Sequence, residues 1–140
     1  MIQGKASQVF ITGNTVAKVF DRTQSKGYRG SGEQSYQREK ECLKRLEGNI
    51  HFPEVIHFDD DNLTIHMSYC GEVFPYDGKP RPELLDQVWQ ISEALDKANI
   101  KLYGGTLQKN NILLHDGLIR LVDFEYALPE GSDLKIEEDF

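Results

Sequence analysis

The sequence predicts an α+β fold: paired strands, a helix, paired strands, a second helix and a closing hairpin, in that order. Three observations carry this. Short β-branched and aromatic runs come in pairs around turn residues, and two longer stretches repeat apolar residues at helical spacing. The chain has 140 residues, enough for one domain and too few for two.

The first pair is Gln8-Val9-Phe10-Ile11 and Thr15-Val16-Ala17-Lys18-Val19-Phe20, joined through Gly13-Asn14, two residues that accept positive φ. Asp21 to Gln34, with Gly27, Gly30 and Gly32 among Ser and Arg, reads as a loop. Ser31-x-x-Gln34 has the form of a capping box and predicts a helix to about Glu47, closed by Gly48. Tyr36, Cys42, Leu43 and Leu46 form its apolar stripe, and Glu39 falls on that stripe while Glu41 does not. A carboxylate on a buried helix face costs several kcal/mol unless it is paired. Val55-Ile-His-Phe58 and Leu63-Thr-Ile-His-Met67 make a second hairpin around Asp59-Asp60-Asp61-Asn62. Cys70 to Arg81 is punctuated by Gly71, Pro75, Gly78 and Pro80 and reads as a linker. A helix from Pro82 to about Asn99 sets Leu84, Leu85, Val88, Ile91, Leu95 and Ala98 along one side. Asn111-Ile-Leu-Leu and Leu118-Ile-Arg-Leu-Val flank Asp116-Gly117, a type I′ turn signal.

Composition narrows the function. Apolar residues make up 39% of the chain, enough to bury a core. Sixteen basic against 23 acidic residues give a net charge of −7, which argues against a general nucleic-acid or anionic-membrane surface. A nucleotide phosphate would need local donors or a metal. Cys42 and Cys70 cannot make a disulfide framework, which suits a reducing compartment. The N-terminal residues show no signal-peptide pattern, and no apolar run approaches the roughly 20 residues of a spanning helix. The expectation is a cytoplasmic single domain with no nucleic-acid or membrane partner. Histidines 51, 57, 66 and 115 lack metal-ligand spacing and read as structural or surface residues; Glu137, Glu138 and Asp139 read as a solvated acidic tail.

Taken singly, Lys18 reads as a solvent-facing strand lysine, Glu39 as a partner for a nearby arginine, and Asn111 and Asp123 as turn caps. Their order and spacing together resemble the eukaryotic-type protein kinase fold and its choline-kinase and aminoglycoside-phosphotransferase relatives. Val16-Ala17-Lys18-Val19 is similar to the third-strand lysine motif, and Tyr36 to Leu46 to the helix whose glutamate, here Glu39, pairs with that lysine. Ile65 to Gly71 resembles the gatekeeper and hinge, Ala98 to Leu114 the catalytic loop, and Asp123-Phe124-Glu125 the metal-binding motif of choline-kinase-like enzymes. The resemblance implies an antiparallel β-sheet lobe with one helix (1–69), a hinge (70–81) and a stunted lobe of one main helix and a hairpin (82–140). It also implies ATP and Mg²⁺ as cofactors, with Ca²⁺ or Mn²⁺ as substitutes. Lys18, Glu39, Gly4, Ser7, Ala17, Met67, Ser68 and Cys70 would then hold the nucleotide, with Val16 or Ala17 over the adenine, and Asn111, Asp123 and Glu125 the metal.

Three departures shape the expected activity. The catalytic aspartate position, five residues before Asn111, is Thr106, and no Asp or Glu occurs from Lys97 to His115. Loss of a positioned proton acceptor typically costs about 10²–10⁴-fold in rate. Gly104 replaces the loop histidine, and of the phosphate-loop glycines only Gly4 is present. Few residues follow the Asp123-Phe124-Glu125 motif, so the helices that dock a peptide are not expected, and Trp89 is the expected contact for a second copy in a homodimer. The first expectation is therefore an ATP- and metal-binding, pseudokinase-like protein with weak or absent transfer. The alternatives are an active small-molecule phosphotransferase of the choline or aminoglycoside type with an unknown acceptor, and an interaction module for a protein partner without nucleotide.

Overall fold

A computed structural model describes residues 7–22, 31–74, 79, 81–102, 111–124 and 127–134. Strands β1 (Ser7–Thr12) and β2 (Thr15–Phe20) pair antiparallel with Thr12 opposite Thr15, so the turn has two residues and its positive φ falls on Gly13 (59°). β3 (Val55–Asp59) and β4 (Thr64–Ser68) form the second hairpin, and β2 joins β4, giving a four-stranded sheet in the order β1-β2-β4-β3. Leu63 closes the intervening turn at φ 47°, strained for a leucine. Its side chain is buried and its carbonyl accepts the Phe20 N–H at 2.9 Å, which holds it there.

Helix α1 (Gly32–Arg45) starts as the sequence implies: Gln34 N–H donates to the Ser31 hydroxyl, and Gln34 Oε1 accepts from the Ser31 N–H. Gly32 is required at its first turn, because a β-carbon there would run into the Asp21 carbonyl at the end of β2. Tyr36, Glu39, Cys42 and Leu43 face inward, where Tyr36 meets Phe20 and Glu39 meets Lys18 of β2. At the far end, Arg45 is held by Glu41 (3.0 Å) and donates to the carbonyls of Ala98 (3.1 Å) and Asn99 (3.3 Å), locking α1 to the end of the second helix.

That second helix begins as a 3₁₀ turn (Pro82–Leu84) and continues as α2 (Leu85–Lys97). Its buried side is narrower than the apolar pattern predicts. Ile91 and Leu95 are buried and Leu84, Ala94 and Ala98 pack on the core, but Leu85 and Val88 lie at the rim and are exposed, as is Trp89 at 66%. The expected dimer residue is thus open to solvent in the single chain. No helix among the described residues is long and apolar enough to cross a membrane.

The expected hairpin is β7 (Ile112–His115) and β8 (Leu118–Leu121), with Asp116 and Gly117 both at positive φ as a type I′ turn requires. Two features depart from expectation. The linker contains β5 (Glu72–Val73), which pairs with β7 to make a three-stranded sheet, and β6 (Ile100–Leu102) pairs with β9 (Ala127–Pro129) against α1. One contiguous core, from Phe20 and Tyr36 through Ile65 to Ile119, Leu121 and Phe124, unites these parts.

Candidate functional site

Strand alternation decides which side of β2 meets the core. Val16, Lys18 and Phe20 share the inner face, while Ala17 and Val19 face outward. Lys18 is consequently 5% exposed, against the solvent-facing reading of a lone strand lysine. Its ammonium lies 2.6 Å from Glu39 Oε1 on the inward stripe of α1 and 3.3 Å from Asp123 Oδ1, with the Phe20 ring at 5.3 Å. Glu39 is 1% exposed, so this ion pair is enclosed in protein. The sequence pattern that puts a carboxylate on a buried face finds its physical answer there.

Asp123 follows the end of β8 at φ 74°, a left-handed conformation that a non-glycine residue adopts at a cost of about 1–3 kcal/mol. That geometry turns the chain out of the strand and brings the carboxylate to Lys18. Val122 N–H donates to the Asn111 carbonyl at 2.9 Å, which holds the start of β7 beside the end of β8. Asn111 and Asp123 are thereby brought to one wall.

These residues close the inner end of a cleft of about 540 Å³ between the β1-β2-β4 sheet and the β7–β8 hairpin. Val9, Ile11 and Val16 line one side and Leu113 and Val122 the other; Met67, Ser68, Tyr69, Cys70 and Gly71 run along the back. The volume falls within the roughly 300–1,000 Å³ of small-molecule sites. The back segment is pinned: Ser68 N–H donates to the Glu54 carbonyl (2.8 Å), Glu54 N–H to the Ser68 hydroxyl (3.0 Å), and Tyr69 N–H to the Asn14 carbonyl (2.9 Å). Next along, the Cys70 N–H has no hydrogen-bond partner among the described residues, although Cys70 is only 2% exposed. A buried backbone donor left open on a cleft wall is a ready contact for a ligand acceptor. Gly71 keeps this segment close to β7 at φ 105°; a β-carbon would meet the Leu114 carbonyl. Burial pushes the Cys70 thiol up from its ordinary pKa, with Arg120 and the Ser68 side chain pulling the other way.

Of the residues expected to hold a nucleotide, Lys18, Glu39, Met67, Ser68 and Cys70 line the cleft. Ala17 does not: it lies on the outer face of β2, one residue out of phase with Lys18, and Val16 occupies the position over the cleft. Ser7 is buried on the same face of β1 as Val9 and Ile11, but outside the cleft lining. Asn111 and Asp123 both line the cleft, whereas Gly4, Thr106 and Glu125 fall outside the described residues. Sequence reasoning missed Val9, Ile11, Leu113 and Val122. Counting in twos from Lys18, and across the β1–β2 register where Val9 faces Lys18, finds the first two.

Among the described residues no three His, Cys, Asp or Glu side chains gather as a complete metal cage. One carboxylate and one carboxamide suit a hard ion that keeps most of its waters and takes its other oxygens from a bound phosphate.

No protein-family model matches the chain, and no curated protein matches it. Among solved structures, a choline/ethanolamine kinase family protein from Mesorhizobium loti is similar, at 13% sequence identity and a TM-score of 0.45 over 90% of this chain. The chain spans 57% of the length of that structure.

Proposed function

We propose that this chain is a kinase-like protein that binds ATP with Mg²⁺ in the cleft, and that phosphoryl transfer is weak or absent. The observation that carries the reading is the placement of Lys18 between Glu39 and Asp123 at the closed end of an otherwise apolar cleft. Such a cleft accepts a flat, apolar base and presents one fixed ammonium to an anion. Val9, Ile11 and Val16 would cover one face of the adenine and Leu113 and Val122 the other, with the open Cys70 N–H and the Ser68 carbonyl at its edge. Glu39 would orient Lys18 toward phosphate oxygens, a charge-assisted contact. Asp123 and Asn111 would hold Mg²⁺, which supplies charge neutralisation to phosphate oxygens. Because phosphoryl transfer depends mainly on positioning and charge, these residues account for binding. The missing element is a proton acceptor: Thr106 stands where the resemblance places an aspartate, and no carboxylate lies from Lys97 to His115.

Thermal unfolding with saturating ATP and Mg²⁺ tests this. A ligand that binds only the folded state stabilises it by RT ln(1 + [L]/Kd) and so raises Tm. Wild-type protein is expected to shift, while Lys18→Met and Asp123→Asn are not. Equal shifts in all three would refute the assignment. A folded wild type with no shift would favour the module that works without nucleotide.

A further inference from the structure

The two strands of the second hairpin bring together a pair of histidines that linear spacing hides. His57 and His66 are directly opposite in the β3–β4 register, just beyond the bulge between Val55 and His57. Ile65 and Met67 point to the core, so alternation turns His66, and with it His57, to the outer face. Their rings stack with centroids 6.0 Å apart and planes 26° from parallel. His57 is exposed and His66 half-buried. Among the described residues, the imidazoles with hydrogen bonds or ion pairs are His51 and His115, so all four nitrogens of the His57–His66 pair remain available.

The surroundings favour a cation. Asp59 lies two residues along β3 on this same face, and Asp60 follows in the turn. Asp59 is already bonded to Asn62 through both oxygens and Asp60 to Lys40 and Tyr36, so neither is spare as a ligand. Two imidazoles on one ion, with metal–nitrogen bonds of about 2.0–2.1 Å, put ring centres roughly 5–6 Å apart. The observed centroid separation of 6.0 Å lies at the upper end of that range.

We propose that His57 and His66 form a cross-strand site for a borderline divalent ion of the Zn²⁺, Ni²⁺ or Cu²⁺ class, with water completing the coordination. Imidazole selects these ions over Mg²⁺, which prefers oxygen, so the site is chemically distinct from the cleft. It exists only when β3 and β4 are paired, so the metal ties the sheet at its bulge and stabilises the folded state. Met67 and Ser68, on the same strand as His66, lead directly into the back of the cleft.

The test is calorimetric titration of the nucleotide-free full chain with Zn²⁺ alone, then Ni²⁺ alone, in wild type, His57→Gln, His66→Gln and His115→Gln. The expected result is one equivalent bound and a raised Tm. Either His57→Gln or His66→Gln should lower affinity at least about tenfold, since even an outer-shell partner of a ligand is worth that much. His115→Gln should change nothing, and millimolar Mg²⁺ should not displace the ion. Absence of binding in the wild type overturns the proposal, as does wild-type affinity in either His57→Gln or His66→Gln. Should a variant fail to fold, imidazole NMR resonances of the wild type decide. Ni²⁺ should broaden those of His57 and His66 first, and broadening that begins at another histidine overturns the site.

Discussion

Replacing Lys18 by Met tests why a charge is buried in this chain. The side chains of Lys18 and Glu39 are 6% and 2% exposed and meet at 2.6 Å, so removing the ammonium leaves a carboxylate enclosed without its neutralising partner. Breaking a buried pair from one side costs about 3–5 kcal/mol, a large share of the roughly 5–15 kcal/mol that holds a domain folded. Glu39→Leu should cost less, about 2–3 kcal/mol, because Lys18 still faces Asp123 at 3.3 Å, whose side chain is 23% exposed. The double variant, Lys18→Met with Glu39→Leu, replaces both charges by apolar groups of similar length and should recover most of the loss, since such swaps are often neutral. Urea unfolding followed by circular dichroism measures all four proteins, and the cycle should return a coupling of about 3 kcal/mol or more. The double variant should nevertheless bind no ATP. Additive single effects, with coupling below about 0.5 kcal/mol, would refute the claim that the two charges are mutually dependent.

Other consequences follow from local geometry. Ser31→Ala removes the bond that caps α1 and should cost about 1 kcal/mol in the same unfolding assay; no loss would mean the helix start is held by packing alone. Gly71→Ala forces a side chain into the Leu114 carbonyl at φ 105°, so at least about 1–3 kcal/mol of stability should go and ATP affinity should fall with it. Unchanged affinity would separate the Gly71 segment from the ligand. Lys40, and then Tyr36, bond Asp60 and hold its carboxyl below the usual carboxylate range. A lowered folded-state pKa stabilises above the unfolded value, about 3.9, and that gain is lost as pH falls through the folded value. Asp60→Asn should therefore flatten the acid limb of the stability–pH curve below about pH 4, and an unchanged limb would contradict the pairing. Burial, with Glu39 adding to it, pushes the Cys42 thiol up to about 12, and burial raises Cys70 as well. Neither thiol of the native protein should react quickly with Ellman's reagent at pH 8, and a single fast thiol would show that one cysteine is uncovered.

Features set by near neighbours along the chain are legible in the sequence. The Ser31–Gln34 box and the Asp116-Gly117 turn are local, and each forms as its residues require. The helical period that puts Glu39 beside Tyr36 and Leu43 is enough to demand a buried partner, and Lys18 meets that demand. What stays hidden is set by pairing between distant segments. Glu72–Val73 and Ile100–Leu102 are too short to show alternation, and each becomes a strand only because β7 or β9 lies alongside. The cleft walls are hidden for a related reason. The lysine motif puts Ala17 where the two-residue period excludes it, and Leu113 and Val122 join the site only when the hairpin folds against the first sheet. Leu85 and Val88 belong to the apolar pattern of α2 yet remain exposed, because no described element covers that rim.

Lys18, Glu39, Asn111 and Asp123 are proposed above to make a metal-dependent nucleotide site. The most direct measurement is calorimetric titration of the purified chain with ATP, first with Mg²⁺ and then with EDTA. Saturable binding with Mg²⁺ that weakens when the metal is chelated is expected, with loss of both in Asp123→Asn. No heat of binding to the folded wild type under either condition would contradict it.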